Sequence, residues 1–435
     1  MLEKKLLRKN KMSIEIIPVN KSNIFEWRKS VRAVFGDIPN KDVVKRMVNE
    51  RFMIDFETWN EPSDRLLAAV DTETNQIVGT GGADKYSITV PGGNTVNMAG
   101  IAFMGTLPTH KRRGIFSSMM NKLHSQARER GDSIAGLWAS QSLLYSRFGY
   151  GLSTIREDWQ INSNHTNLSK PKKDSIRLEL VDKKKALEEI PKIYDIYRKC
   201  QNGATDRTQG YWNYLLYEDD NSMYNKSGNS GFFFVLAYRD NKPSGYAFYN
   251  FNKESGVAHE DDKGTLKVEE IISIDRETNH ALWQYIFGIE LIEEITFNRR
   301  APNDPLYFML ENPRKLQRET IDGLWVRIID PISMLEGRTY NHKGKVTINL
   351  SGQNQKDIEG TYSIDTDGKN TEVKKVKGKA SIYMRPSDLS SIYFGGVSPG
   401  EHFQAGNIDI ENHNSLRELT KMFFVEQEPW CNTDF

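Results

Sequence analysis

The sequence predicts an α/β protein with an α+β segment at its C-terminal end: two tandem domains, each a mixed sheet with helices, and a smaller third domain. Three observations favour this class. The chain has 435 residues, too many for one hydrophobic core. The order hairpin, strand, helix occurs twice, which indicates two copies of one fold. After residue 326, short alternating strand-like runs come before helical runs, as is typical of α+β folds.

The first copy contains the sharpest local pattern of the chain, in residues 99–151. An apolar run at 101–107 has the length of a strand, and the basic turn at 110–114 follows it. The apolar residues Ile115, Met119, Leu123 and Ala127 then recur every four residues, which predicts one buried face of a helix.

A strand, a tight turn and a helix N-terminus together predict an anion site. The first amides of a helix have no intrahelical partner and lie at the positive end of the helix dipole. Lys111, Arg112 and Arg113 add full charges beside these amides. The pattern therefore predicts that a phosphorylated ligand binds here. The alternative is an ordinary strand–helix connection with solvated arginines.

The second copy has the same order but a different turn. A hairpin is predicted around Asp240 and Asn241, then a strand at 266–274 and a helix at 278–291. The turn between that strand and that helix is Asp-Arg-Glu-Thr-Asn, residues 275–279. It has no glycine to let a pyrophosphate approach the backbone, and its two acids would repel one. We therefore expect the second copy to serve as scaffold and pocket wall.

The composition of the chain argues against nucleic-acid-binding, membrane-spanning and metal-binding functions. The net charge of +1 gives no overall attraction to nucleic acid or to a membrane surface, and no apolar run reaches transmembrane length. Two cysteines and eight histidines without ligand-like spacing indicate a reducing compartment, the cytoplasm, and no metal site. Residues 1–12 are basic without the apolar core of a signal peptide, so they are predicted to be a tail or to precede an alternative start at Met12.

The basic turn also resembles a family motif. A strand followed by R/Q-x-x-G-x-G/A and a helix is the coenzyme A pyrophosphate loop of the GNAT N-acetyltransferases. Lys111 stands at its first position, Gly114 matches, and Phe116 replaces the last small residue. The longer string PTHKRRGI…ASQSLLYSRFGYG resembles the enhanced intracellular survival (Eis) branch, which tolerates a bulky residue at the Phe116 position.

The resemblance to the Eis family extends over essentially the whole chain. It implies a catalytic GNAT domain at 13–165, a second, degenerate GNAT domain at 166–325, and a sterol-carrier-protein-like domain at 326–435. It also implies acetylation of aminoglycoside amines at several positions and of lysine amines, with acetyl-CoA as co-substrate, in a homohexamer. A lipid-carrying role of the third domain is a further interpretation.

Acetyl transfer from a thioester to an amine requires bound phosphates, a polarised carbonyl and two proton transfers. The turn is expected to hold the phosphates, and the strand before it is expected to polarise the carbonyl through backbone amides. Two residues after the next strand match further cofactor contacts of the family. The cofactor-binding residues are thus predicted to be Met104, Gly105, Thr106, Arg112, Arg113, Gly114, Ile115, Phe116, Ser117, Ser140 and Gln141.

The resemblance also assigns the catalytic groups. Tyr145 is expected to be the general acid by family position, and Tyr150 is a nearby competitor with a predicted packing role. The carboxylate of Phe435 is expected to enter the first domain as the general base. Its usual pKa of about 3.5 is too low for this unless burial raises it or a water relays the proton. Asp37 and Asp434 are expected to be acidic pocket residues; alternatively, they are solvated surface acids.

Two other functions stay open at this point. One is an acyltransferase that acts on another amine or uses a longer acyl group. The other is a non-catalytic protein that binds coenzyme A and a lipid. Tyr145 and the terminal Phe435 favour catalysis.

Overall fold

Three β-sheets with flanking helices make up the computed structural model, which describes residues 14–35, 41–52, 56–170, 175–216, 231–252, 264–352 and 355–435. In chain order the strands are β1 (Ile14–Pro18), β2 (Leu66–Asp71), β3 (Gln76–Thr89), β4 (Thr95–Thr106), β5 (Ile134–Trp138), β6 (Gly151–Leu152), β7 (Ile155–Asn162), β8 (Ile176–Val181), β9 (Phe233–Arg239), β10 (Lys242–Asn252), β11 (Gly264–Ser273), β12 (Ile292–Arg300), β13 (Gln317–Asp322), β14 (Leu324–Ile328), β15 (Gly344–Leu350), β16 (Gly360–Thr366), β17 (Thr371–Val376), β18 (Ile382–Met384) and β19 (Ile408–Ile410).

The helices are α1 (Ile24–Phe35), α2 (Lys41–Arg46), α3 (Ile115–Glu129), α4 (Ser142–Ser146), α5 (Lys183–Arg198), α6 (Gln209–Leu215), α7 (Arg276–Phe287), α8 (Leu306–Met309), α9 (Pro331–Gly337), α10 (Pro386–Ile392), α11 (Pro399–Gln404) and α12 (His413–Phe423). A π-helical turn at Met47–Arg51 continues α2, and a 3₁₀ turn at Pro108–His110 precedes α3. None of the helices in the described ranges is long and apolar enough to cross a membrane.

The first sheet has the strand order β1-β2-β3-β4-β5-β14-β6, and its one parallel pair is β4 with β5. Helices α1 and α2 pack on one face, and α3 packs on the other. The predicted helix face is confirmed, since Ile115, Met119, Leu123 and Ala127 are all buried. The strand, turn and helix that define the predicted anion site therefore lie at the middle of this sheet.

The second sheet repeats this layout in the order β13-β7-β12-β11-β10-β9-β8, with β11 and β12 parallel. The predicted hairpin is present, and both turn residues, Asp240 and Asn241, have positive φ (51° and 62°). Two consecutive positive φ values match the twist of hairpin strands. Helix α7 begins at Arg276 and is followed by Gly288, so it is shorter than the predicted 278–291 at its C-terminal end.

Two strands are exchanged between the copies. Strand β7 lies inside the segment predicted as the first domain, yet it pairs with β12 and β13 of the second sheet. Strand β14 spans the predicted boundary at 325 and lies between β5 and β6 of the first sheet. The sheets therefore do not divide at residues 165 and 325, because each sheet includes a strand from beyond the corresponding boundary.

The third domain is an α+β unit whose sheet has the order β17-β16-β15-β18-β19. Its hydrophobic core is continuous with that of the first domain. Ile348 and Phe394 of the third domain belong to the same buried cluster as Tyr86, Met98 and Val326 of the first sheet. The third domain is thus packed directly against the first.

Candidate active site

The predicted phosphate turn has the geometry of an anion site. Arg112 and Gly114 both have positive φ (63° and 78°), and no side chain caps the N-terminus of α3. A Cβ added to Gly114 would have no heavy atom within 4 Å, so open space adjoins the turn. Backbone amides in such a turn point outward together and form an anion-binding concavity. Ser117, in the first turn of α3, is likewise exposed.

A buried side chain fixes the start of this turn. His110 lies between Thr109, whose hydroxyl is 2.8 Å from Nδ1, and Asp71, whose carboxylate is 3.4 Å from Nε2. Asp71 ends β2, and the backbone amide of Glu73, followed by a smaller effect of His110, lowers the pKa of its carboxyl group. The turn is therefore anchored to the hairpin of the first sheet. The sequence shows His110 in the basic turn but does not reveal this role.

Two further predicted residues, Ile115 and Phe116, have side chains that pack against other parts of the first domain. Ile115 is buried in the core under the sheet, so only its amide can face a ligand. The ring of Phe116 packs against those of Tyr145 and Phe148, with centroids 6.0 and 5.8 Å apart. The bulky residue at 116 therefore links the phosphate turn to the helix that carries Tyr145.

The strands on either side of α3 separate next to the turn. Parallel pairing of β4 with β5 ends at Gly100 and Gly136. Beyond it, β4 forms a bulge in which Phe103 has φ 58°, and the Thr80 hydroxyl donates a hydrogen bond to the Phe103 carbonyl (2.8 Å). This irregularity lies immediately before the predicted polarising residues, so their edge of β4 faces a cleft rather than β5.

Met104, Gly105 and Thr106 lie in this open part of β4. The Met104 side chain is buried in the core, so its backbone is the part that can face the cleft. The Thr106 hydroxyl is buried and has no hydrogen-bond partner among the residues that the structure describes. A buried polar atom without a partner fits a cleft that binds the amide-rich arm of coenzyme A.

Tyr145 lies in α4, just beyond β5, and is buried. Burial raises the pKa of its phenol above 10, and a hydrogen bond with the Ser140 side chain offsets part of this rise. Its hydroxyl is thus protonated at neutral pH and can donate a proton to a thiolate. Ser140 and Gln141 are exposed at the entrance to α4.

Tyr150, the alternative acid, is fully buried. Its hydroxyl lies 2.9 Å from Nε2 of His124 in α3, and burial raises its pKa above the usual value. Burial, followed by the charges of Arg327 and Arg128, lowers the pKa of His124 well below 6.5. A phenol sealed inside the core against a neutral imidazole has a packing role, as predicted.

The C-terminus lies at the point where β4 and β5 separate. The Phe435 ring packs against Tyr86 with centroids 4.8 Å apart, and a Cβ added to Gly100 would be 3.1 Å from this ring. Trp138 at the end of β5 donates its indole N–H to the Thr433 carbonyl (3.0 Å). The last residue of the chain and the predicted cofactor cleft of the first copy are thus neighbours.

Of the two predicted acidic pocket residues, the structure describes only Asp434. Asp37 lies outside the described residues. The Asp434 carboxylate is half exposed and pairs with Arg299 of the second copy at 2.6 Å. Burial alone would lower the pKa of Arg299, and the Asp434 charge raises it above its usual value. Arg299 thus balances the charge of Asp434, and the expected role of Asp434 as an acidic pocket residue stays a prediction.

Two residues of β3 and β4 near the bulge and Phe435 were not predicted as site residues. Phe103 forms the bulge described above and packs edge-on against Trp27 of α1 (5.3 Å). Asp84 pairs with Gly100 across the strands. Because side chains alternate along a strand, Asp84 lies on the same face as Tyr86, which contacts Phe435. Neither residue type signals a site, since the bulge and the register arise only on folding.

Residues that commonly bind metals are dispersed in the described part of the chain. No group of three or more histidine, cysteine, aspartate or glutamate side chains there has the arrangement of a metal site. Cys200 is exposed, Cys431 is buried, and both are free thiols.

Comparisons with known proteins agree with this architecture. Residues 15–153 and 203–328 match families described as "Acetyltransferase (GNAT) domain", and residues 332–432 match a sterol carrier protein domain. The chain is 27% identical to the N-acetyltransferase Eis of Mycobacterium tuberculosis over 356 residues, 80% of this chain and 83% of that protein. It is 28% identical to an uncharacterized N-acetyltransferase of Streptomyces avermitilis over 373 residues, 86% of this chain and 90% of that protein.

Solved structures show the same fold. Eis1 from Mycobacterium abscessus superposes with a TM-score of 0.81 at 21% identity, and a GCN5-related N-acetyltransferase from Anabaena variabilis with 0.81 at 18%. Each comparison covers 97% of this chain and 100% of the other. GNAT domains use acetyl-CoA as the acetyl donor, and the uncapped helix with its adjoining cleft fits that donor. The chain is therefore a GNAT-type N-acetyltransferase with a sterol carrier protein domain, and it is similar to the Eis proteins over most of its length.

Proposed function

We propose that this enzyme acetylates primary amines of small polycationic acceptors of the aminoglycoside class, with Tyr145 as general acid and the Phe435 carboxylate as general base. The observation that carries the proposal is the position of Phe435 over Gly100, where β4 and β5 separate. A chain terminus at this point supplies a carboxylate next to the site where an amine meets the thioester.

The proton transfers follow from the two groups. The terminal carboxylate accepts the proton that the attacking amine loses as its nitrogen bonds to the thioester carbonyl carbon. The carbon–sulfur bond then breaks, and Tyr145 donates its phenol proton to the departing thiolate. Backbone amides of residues 104–106 stabilise the negative charge on the carbonyl oxygen. Each proton lost is matched by one gained, and the products are an amide and the free thiol.

The charges near Phe435 support a cationic acceptor. The ring of Phe435 lies beside Tyr86 and Gly100, and the Asp434 charge is balanced by Arg299. A polycation is attracted by the terminal carboxylate and does not need to displace the Asp434–Arg299 pair. Acetylation at several positions of one acceptor, and of lysine amines, is part of the same proposal.

A thiol-release assay tests the activity. Acetyl-CoA is supplied with an aminoglycoside, with spermidine and with a lysine peptide, and a longer acyl-CoA is supplied as an alternative donor. We expect turnover with the aminoglycoside and more than one acetyl group per acceptor by mass spectrometry. Absence of turnover on every amine would contradict the proposal and favour a binding protein. Light scattering tests the proposed homohexamer, and cell fractionation the proposed cytoplasmic location.

A further inference from the structure

The second copy retains a cleft that corresponds to the cofactor cleft of the first. Parallel pairing of β11 with β12 ends at Val268 and Phe297, and a bulge at Glu269 follows in β11. In the first copy, pairing of β4 with β5 likewise ends just before a bulge. Beyond the last pair, Glu269 and Glu270 of β11 face residues 298–300 of β12 across a cavity of about 50 Å³.

The C-terminal segment lies in this cleft. Trp430 is buried, and its indole N–H donates to the Arg299 carbonyl of β12 (2.9 Å). The Asn432 side-chain amide donates to the Glu270 carboxylate of β11 (2.6 Å). The tail is thus hydrogen-bonded to both strands that border the cleft, and Trp430 and Asn432 line the remaining cavity.

A buried ion pair holds the same segment. The Arg207 guanidinium donates two hydrogen bonds to the Glu270 carboxylate (2.9 and 2.8 Å). It donates two more to the tail, one to the Asn432 carbonyl (3.0 Å) and one to the Thr433 hydroxyl (3.1 Å). The Arg207 side chain is only 1% exposed, so solvent screens these bonds little.

We propose that the β11–β12 cleft is a binding site for the chain's own C-terminal segment, and that Arg207 and Glu270 are positioning residues for the terminal carboxylate. Three residues separate Asn432 from the end of the chain, and three residues span at most about 10 Å. Anchoring Asn432 therefore restricts the carboxylate to a small volume beside Gly100. The catalytic consequence rests on the function proposed above; the tail site itself does not.

The experiment uses the full-length chain with the double substitution Arg207→Met and Glu270→Gln, which leaves no buried charge unpaired. The control is Arg318→Met with Glu157→Gln, another arginine–carboxylate pair of the second sheet (2.6 Å), in which Glu157 is buried and Arg318 is partly exposed. The first readout is the rate at which carboxypeptidase A releases Phe435. The second is kcat and the KM for acetyl-CoA.

We expect Phe435 release about tenfold faster and kcat about tenfold lower in the double variant, with the KM for acetyl-CoA unchanged, because the local opening exposes the tail and leaves the donor site intact. The control should match wild type in both readouts. A purely structural role would instead lower kcat and donor affinity together in both variants.

The outcomes separate the two proposals. Faster release with unchanged kcat supports the tail site and contradicts the carboxylate as base. Equal release rates in the double variant and the control overturn the tail site. If the double variant does not fold, Asn432→Ala keeps the ion pair and removes the two side-chain bonds of Asn432, to Glu270 (2.6 Å) and to the Tyr194 hydroxyl (3.3 Å). It is then expected to release Phe435 faster than wild type, and an unchanged rate overturns the proposal.

Discussion

Helices α3 and α7 begin at corresponding points of the two copies, but the N-terminus of α3 is uncapped and that of α7 is capped by a side chain. Gly114 precedes α3 with φ 78° and offers no side chain to the helix amides. Asp275 precedes α7, and its carboxylate accepts hydrogen bonds from the Thr278 amide (2.9 Å) and hydroxyl (2.8 Å). An uncapped N-terminus can bind an external phosphate, whereas a capped one already has its anion.

The clefts beside these helices differ in the same way. The β4–β5 cleft adjoins the open phosphate turn and contains the Thr106 hydroxyl, which has no hydrogen-bond partner among the described residues. The β11–β12 cleft contains Trp430 and Asn432 of the chain's own tail. One copy thus has the features of a donor site, and the other holds the segment that ends in the first copy's cleft.

Removal of Phe435 tests whether this tail completes the first copy. Deletion moves the terminal carboxylate back by one residue, about 3.8 Å. We expect kcat to fall by about 10²–10⁴-fold, the typical contribution of a general base, with acetyl-CoA affinity unchanged. Phe435→Leu is the matched control, because it keeps the carboxylate. A normal kcat in the deletion variant would show that the Phe435 carboxylate is not the general base.

Tyr145→Phe tests the acid of the first copy. We expect kcat to fall by about 10²-fold in steady-state assays, with unchanged acetyl-CoA affinity. Because burial raises the pKa of Tyr145 above 10, the wild-type enzyme should keep its acid protonated through pH 9. An alkaline loss of activity below pH 9 that Tyr145→Phe abolishes would contradict the raised pKa, and an unchanged kcat in Tyr145→Phe would contradict the acid assignment. Tyr150→Phe, the control, loses only the bond to His124 and should retain most of its kcat.

Gly114→Ala closes the open N-terminus of α3. The Cβ enters the space beside the phosphate turn, and we expect the Kd for acetyl-CoA to rise about tenfold by calorimetry. Gly131 at the other end of α3 has nearly the same φ (77°) and equally open surroundings. Gly131→Ala should therefore lose the same stability, about 1 kcal/mol, and bind acetyl-CoA normally. Equal increases in the Kd for acetyl-CoA in both variants would show that backbone strain, and not a Cβ in the phosphate turn, weakens binding.

His124, which is buried in the first copy, should make the free energy of unfolding depend on pH. Because burial lowers the pKa of His124 well below 6.5, the unfolded chain binds its proton first as pH falls. The free energy of unfolding should decrease below pH 6.5 by about 1.4 kcal/mol per unit, down to the folded pKa, and this group should contribute nothing above pH 6.5. In urea unfolding, the His124→Gln variant should lack this pH dependence. The control His342→Gln, at an exposed histidine, should keep it. Identical slopes in all three proteins would contradict a neutral buried His124.

Asp275→Ala removes the cap of α7 and has the smallest expected effect. We expect a loss of about 1 kcal/mol in the free energy of unfolding and no change in acetyl-CoA binding, because the adjoining cleft still contains the tail. Asp182→Ala, which removes the cap of α5, is the stability control. A new acetyl-CoA site in Asp275→Ala would show that the cap alone excludes the donor.

Much of the local structure follows from the sequence. The four-residue spacing from Ile115 to Ala127 predicts the buried face of α3, and Asp240 with Asn241 predicts the hairpin turn; both are confirmed. The difference between the turns at 110–114 and 275–279 is also visible in residue types. These features depend on neighbours within a few residues, which is why the sequence is informative about them.

The remaining features depend on residues far apart in the chain. Strand-like runs at 155–162 and 324–328 do not specify which sheet they join, so the exchange of β7 and β14 could not be predicted. The pairing of Asp434 with Arg299 and the Arg207 contacts to the tail span more than a hundred residues. Tyr145 and Phe435 were assigned through family resemblance, and their roles stay predictions.

Titration of acetyl-CoA into the full-length chain tests the central claim, that one copy binds the donor and the other does not. Calorimetry should give one equivalent per chain, with affinity reduced about tenfold by Gly114→Ala and unchanged by Asp275→Ala. Two equivalents per chain, or one equivalent that Gly114→Ala leaves unchanged and Asp275→Ala alters, would contradict the account.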